Sequence, residues 1–253
     1  MNDQIACENA SGSVDNIKDI ECNGHALPKE GVLVTSFLEG EDAHEYMKSS
    51  PFFRAFPERV FALMITLCIE IPVAVIVVSG SNLCDLVGQD RYALIMAFLP
   101  VTSAISGNVG LQCSSLTTRA ISHVQVCPRT WWKWLRIELI VAALLGLAVF
   151  VVQLCVLTIW TKVSFGTPDM GIAITVAFAQ FLTIVVAGAT GTFAPMFFKF
   201  VLNRDAGKWA GPLETAVQDV VGAFCMTYVA TWLMTAFVKL NLSPQFHGTC
   251  GDS

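Results

Sequence analysis

Asp219 is a carboxylate set eight residues into an apolar run, at 211–239, and no lysine or arginine lies deep in any apolar run to pair with it. With Gly211, Thr215 and Gly222 it recurs at spacings of four, four and three, which is one face of a helix. A face carrying a carboxylate, a hydroxyl and two glycines suits either a water-filled path or a close helix–helix seam. A second stripe, Asn108, Gln112, Ser115 and Arg119, repeats at four, three and four. Amide oxygens are neutral, hard ligands that accept from a hydrated cation without trapping it. The same amides could instead clamp two helices by hydrogen bonds. Four polar residues on one face beside Gly107 and Gly110 favour lining a path.

Three more carboxylates sit in apolar surroundings. A charge at mid-bilayer costs about 2.5–3.5 kcal/mol on insertion scales, so each of them needs a reason. Glu214 lies five positions before Asp219, turned roughly 140° away around a helix, and is expected near a membrane interface. Glu138 follows the basic run Lys133 to Arg136, where a structural ion pair and a cation site are equal readings. Glu70 stands in mid-run before Pro72 as a second lining position or an inter-helix hydrogen bonder. All three are candidate secondary cation sites.

The elements that must position these residues follow from composition. The 253-residue chain is 54% hydrophobic and 14% charged, with a mean hydropathy of +0.61; soluble domains carry about a quarter charged residues. Apolar blocks at 58–80, 92–121, 131–161, 170–200 and 211–239 are each long enough to cross a bilayer, which takes about 20 residues of helix. The fold class expected is all-α, a polytopic membrane protein with five spans. Pro100 removes a backbone hydrogen bond inside the second block and predicts a kink there, which places that block in the protein interior. Pro195 and the Gly211-Pro212 pair are expected to mark helix boundaries.

Three domains are expected: an acidic tail over 1–50, a five-helix transport domain over 51–240 and a short outer tail over 241–253. Residues 1–45 hold ten acids against Lys18 and Lys29, a composition that reads as disordered and as neither signal nor transit peptide. Basic residues cluster before the first block (Lys48, Arg54, Arg59), around the second loop (Arg119, Arg129, Lys133, Arg136) and before the fifth block (Lys199, Arg204, Lys208). The positive-inside rule then sets the N-terminus inside and the C-terminus outside. Nine cysteines include Cys68, Cys113, Cys155 and Cys225 within the blocks, read as packing residues. Cys84 and Cys250 are the two assigned to the outer side. The four histidines lie in tails or loops and no nucleophile–base pair or metal triad is evident, so no enzymatic activity is expected. Nothing suggests a nucleic-acid partner; the partner is the bilayer itself, with the plasma membrane favoured.

The segment PVTSAISGNVGLQ, with Pro100, Gly107, Asn108, Gly110 and Gln112, resembles the P-x6-GNxGxQ signature of the MgtE family of magnesium channels. The stretch from Gly211 and Pro212 through Thr215 and Asp219 to Gly222 is similar to that family's fifth-helix motif. The resemblance covers about residues 52–239. It implies a homodimer with one pore on the two-fold axis, lined by the second and fifth helices, and Mg2+ as the transported ion. It makes Asp219 the pore aspartate, with Asn108 and Thr215 as further metal-facing residues. Glu138 falls where relatives often carry a glutamate on the third helix. Relatives often have Asn at the position of Gly211. Their large cytosolic sensor has no counterpart in a tail of about 50 residues, so gating by such a sensor is not carried over. An exchanger coupled to Na+ or H+, and a non-transporting scaffold, are the competing functions; other divalent cations compete with Mg2+.

Overall fold

The computed structural model describes residues 56–123, 125, 126, 128, 130–202, 206–240 and 243; the acidic tail and Cys250 lie outside them. Every regular element among the described residues is helical: α1 (Phe56–Val78), α2 (Ser81–Val87), α3 (Gln89–Ala97), α4 (Leu99–Ser122), α5 (Trp131–Phe165), α6 (Met170–Met196), α7 (Ala206–Phe224) and α8 (Ala230–Lys239). Wider π-helical turns at Phe197–Val201 and Cys225–Val229 extend α6 and join α7 to α8. Together these form five stretches long and apolar enough to cross a membrane: Leu63–Val87, Gln89–Ser122, Trp131–Phe165, Met170–Val201 and Leu213–Lys239. The protein is an integral, multi-pass membrane protein, as the five apolar blocks predict.

Packing is centred on α6, which touches α5, α4, α7 and α8. Its buried positions are dominated by small residues, including Gly171, Ala173, Ala177, Ala187, Gly188 and Gly191. In a bilayer apolar surface gains little by leaving lipid, so helices hold together by close van der Waals approach, which small side chains permit. Gly188 lies directly against Ala142 of α5, and Gly191 directly against the Gly110 backbone of α4. On the outward side α5 exposes Ile137, Ile140, Leu144, Leu147, Val151 and Val152, an apolar surface fit for lipid. Helix α1 packs along α7 and exposes Leu63, Leu67, Ile71 and Val75.

The chain punctuation differs from expectation in two places. The second block breaks two residues before Pro100 into two helices, and the proline does not kink a continuous one. Phe98 closes α3, its N–H bonding to Ile95 and Met96 carbonyls, and Pro100 falls in the first turn of α4. A first-turn proline loses no intrahelical bond, so α4 runs on undisturbed. The Gly211-Pro212 pair does not open a helix: α7 begins at Ala206 and carries the pair inside. Pro195 does stand at a boundary, one residue before α6 ends and the wide turn begins.

A polar node ties the α5–α6 end of the bundle. Gly166 closes α5 with φ 77°, a left-handed conformation that glycine adopts without steric cost. Asp169 then caps α6, its Oδ1 accepting from the Ile172 N–H at 3.2 Å. Its Oδ2 lies 3.0 Å from Arg91 Nε of α3, and the Ser243 hydroxyl donates to the same carboxylate at 2.9 Å. Thr161 of α5 accepts from the Asp169 N–H at 3.1 Å. Four separate segments meet at this one residue. Cys84, on α2, is disulfide-bonded, whereas Cys68, Cys113, Cys155 and Cys225 are free.

Candidate ion-conduction face

Helices α4 and α7 lie side by side and antiparallel. Leu111 sits 3.7 Å from where a side chain at Gly211 would begin, Glu214 rests on Gly110, and Ser103 lies 3.0 Å from the corresponding point at Gly222. Rising numbers on α7 thus meet falling numbers on α4. Asp219 falls between the Glu214–Gly110 and Gly222–Ser103 contacts, level with the first half of α4.

The α4 stripe stays open. Asn108, Gln112, Ser115 and Arg119 are all exposed, and with Leu111 and Leu116 they line a shallow groove of about 500 Å3. None of the four side chains makes a hydrogen bond or ion pair among the described residues, so they do not clamp α4 to another described helix. The signature's two glycines differ. Both are buried, but Gly110 is pressed between Gly191 of α6 and Glu214 of α7, whereas a side chain at Gly107 would meet open space. Gly110 is thus the close-packed position of the motif, and the amides lie on the open face.

The α7 stripe divides. Thr215 is exposed, with its hydroxyl on the Gly211 carbonyl at 3.3 Å, and Asp219 is half-buried. Gly222 is buried in the seam with α4, and Gly211 is half-buried beside Leu111. The seam takes the glycines and leaves the hydroxyl and carboxylate at its edge. The path and seam readings of this stripe each hold for half of it.

The remaining carboxylates separate by burial. Glu214 is not at an interface: it is 1% exposed, between α4, α6 and α7. Its Oε1 accepts from the Thr190 hydroxyl at 2.9 Å and from Gln218 Nε2 at 2.8 Å, and that amide also reaches Thr190 Oγ1 at 2.9 Å. Glu214 Oε2 and Gln218 Oε1 are buried without partners among the described residues. Glu138 is buried on α5, beside the Cys113 thiol, which also contacts Thr192. No ion pair joins it to Lys133 or Arg136 among the described residues; Arg136 instead stacks over Trp132 at 5.5 Å. Glu70 is half-buried on α1 and apart from the α4 stripe. Among the described residues no group of three or more His, Cys, Asp or Glu is placed to hold a metal ion.

Sequence reading missed Thr190 and Gln218. Thr190 is one of several threonines on α6, and its pairing with a residue 24 positions away leaves no local pattern. Gln218 could have been found, since it stands four residues after Glu214 on the same helix face.

Residues 99–244 match the MgtE family, described as divalent cation transporter. The chain is also 25% identical over 155 residues to the protein of Bacillus subtilis (strain 168) named magnesium transporter MgtE. That similarity covers 61% of this chain and 33% of the relative, so the chain spans about a third of that protein's length. The match includes α4 with its open amide stripe, α5, α6 and α7 with Thr215 and Asp219, and it extends over more than half of the sequence. The chain belongs to the MgtE family of divalent cation transporters.

Proposed function

We propose that this chain carries divalent cations, Mg2+ foremost, across the membrane, through a path formed where the α4–α7 faces of two copies meet. The observation that carries the reading is the set of open polar positions on two packed helices: Asn108, Gln112 and Ser115 of α4 and Thr215 of α7 are exposed and Asp219 of α7 is half-buried, on a protein that exposes many large apolar side chains. Polar side chains facing hydrocarbon are unfavourable. A second copy related by two-fold symmetry would cover them and enclose water. Asp219 would then face its symmetry mate, and two facing carboxylates repel each other until a divalent cation offsets both. Mg2+ gives up its water reluctantly and demands octahedral oxygen. Amides and hydroxyls at the groove would therefore hold the hydrated ion.

The domain boundaries and orientation belong to the same proposal: a transport domain over 51–240, with the N-terminus inside and the C-terminus outside. The basic positions at that inner side, Arg119, Lys133, Arg136 and Lys199, are all exposed. Arg91 and Lys162 are on the other side, so the basic residues are fewer there.

The test is Asp219→Asn in a magnesium-dependent growth assay and in reconstituted vesicles. Mg2+ uptake is expected to fall at least tenfold, about 1.4 kcal/mol of lost selectivity or entry free energy, at an unchanged amount of membrane-inserted protein. Normal uptake by this variant would refute the assignment. Flux that persists without a Na+ or pH gradient supports a channel, and flux that stops with the gradient supports a coupled exchanger. A scaffold would show no flux at all.

A further inference from the structure

Helix α7 has two working faces. One presents Thr215 and Asp219 to the open side; the other, one residue earlier in each case, carries Glu214 and Gln218 into the interior, at 1% and 0% exposure. The inner pair is joined to α6 through Thr190 and to α4 through Gly110, whose lack of a side chain leaves the space that the Glu214 carboxyl fills. A helix turns 100° per residue, so fixing the azimuth of 214 and 218 fixes that of 215 and 219. We propose that Glu214 is a positioning residue: with Gln218 and Thr190 it sets the rotation and height of α7 and so tunes which ion the Thr215–Asp219 face prefers. This inference rests on the transport reading above.

The chemistry of the cluster favours positioning over ion binding. Both donors available to the cluster, Thr190 Oγ1 and Gln218 Nε2, converge on a single oxygen, Glu214 Oε1. That oxygen is also the atom nearest to the Gly110 side-chain position. The carboxyl is thus wedged between backbone and two donors, in a seam rather than on the open groove, which is lined by α4 residues alone. A seam contact of this kind bears on selectivity because the two competing ions differ in tolerance. Mg2+ demands near-ideal octahedral geometry, while Ca2+ accepts six to eight oxygens in flexible arrangements. Loosening α7 therefore penalises Mg2+ more than Ca2+.

The experiment compares Thr190→Val, Gln218→Leu, Glu214→Gln and Asp219→Asn in vesicles reconstituted with the full chain, reading initial rates for Mg2+ and for Ca2+ and the thermal midpoint of each purified variant. Thr190→Val and Gln218→Leu each remove hydrogen bonds from the inner face and are expected to lower the Mg2+:Ca2+ rate ratio by roughly three- to tenfold. Glu214→Gln keeps an acceptor for both donors and is expected to retain most of the wild-type rate and ratio. A ratio unchanged in Thr190→Val and Gln218→Leu, whatever their thermal midpoints, would mean that the cluster only holds the fold, and would overturn the proposal. Glu214→Gln as inactive as Asp219→Asn would also overturn it, by making Glu214 an ion ligand. Normal transport by Asp219→Asn removes the transport reading itself and the positioning role with it, and is distinguishable because it concerns a residue on the other face.

Discussion

At the residue scale, Gly110 and Glu214 are one feature written in two places. A methyl at position 110 would overlap the Glu214 carboxyl, and overpacking of this kind costs about 1–3 kcal/mol. Gly110→Ala is therefore expected to lower the thermal midpoint in detergent, and Glu214→Ala to lower it as well by removing the acceptor that Thr190 and Gln218 share and leaving a cavity. In the double variant the methyl has space, so the two losses should not add. A coupling of about 0.5–3 kcal/mol is expected from the cycle; strict additivity would show that the carboxyl does not rest on Gly110. Gly191→Ala has no such remedy, because a side chain there meets the Gly110 backbone itself, and it should destabilise in either background.

At the element scale, the five spans were legible because long apolar runs leave a helix as the economical way to satisfy backbone groups in lipid. The two stripes were legible for a similar reason: Asn108/Gln112/Ser115 and Thr215/Asp219 are polar exceptions with helical spacing. What stayed hidden depends on contacts between helices. The stripe with Gly211 and Gly222 was split by a seam whose position only the α4–α7 packing sets, and Glu214 was placed at an interface when Thr190, on another helix, draws it inside. The start of α7 at Ala206, ahead of Gly211-Pro212, shows that a proline signal marks a boundary only where the preceding turn lacks helical support. The Arg91–Asp169–Ser243 node was invisible because its members are 78 and 74 residues apart. It predicts a stability effect at this scale. Asp169→Ala removes the α6 cap, worth about 1 kcal/mol, and leaves the Arg91 guanidinium without its carboxylate. Because Arg91 is partly exposed, with a side chain 22% accessible, water takes over much of that loss, and a total of about 1–3 kcal/mol is expected. Thermal unfolding in detergent measures it, and an Asp169→Asn variant that keeps the cap should recover part.

At the scale of the whole molecule, the single chain is an incomplete transporter on the reading proposed here. Its α6 core is tightly packed, with Gly188 on Ala142 and Gly191 on Gly110. The polar groups that could carry an ion face outward from α4 and α7. A two-fold pairing on that face would bring each copy's Ser115 to the other, since a residue near a symmetry axis approaches its own mate. Ser115→Cys, in a background with the free membrane cysteines replaced, is accordingly expected to form a disulfide-linked dimer under mild oxidation. Cysteine at Ile140, exposed on α5 away from the α4–α7 face, should remain monomeric under the same conditions. Cross-linking at Ser115 should also block Mg2+ flux and restore it on reduction, because a bridge in the groove occupies the space an ion needs. A Ser115→Cys protein that stays monomeric while transporting normally would place the ion's path somewhere other than between two copies.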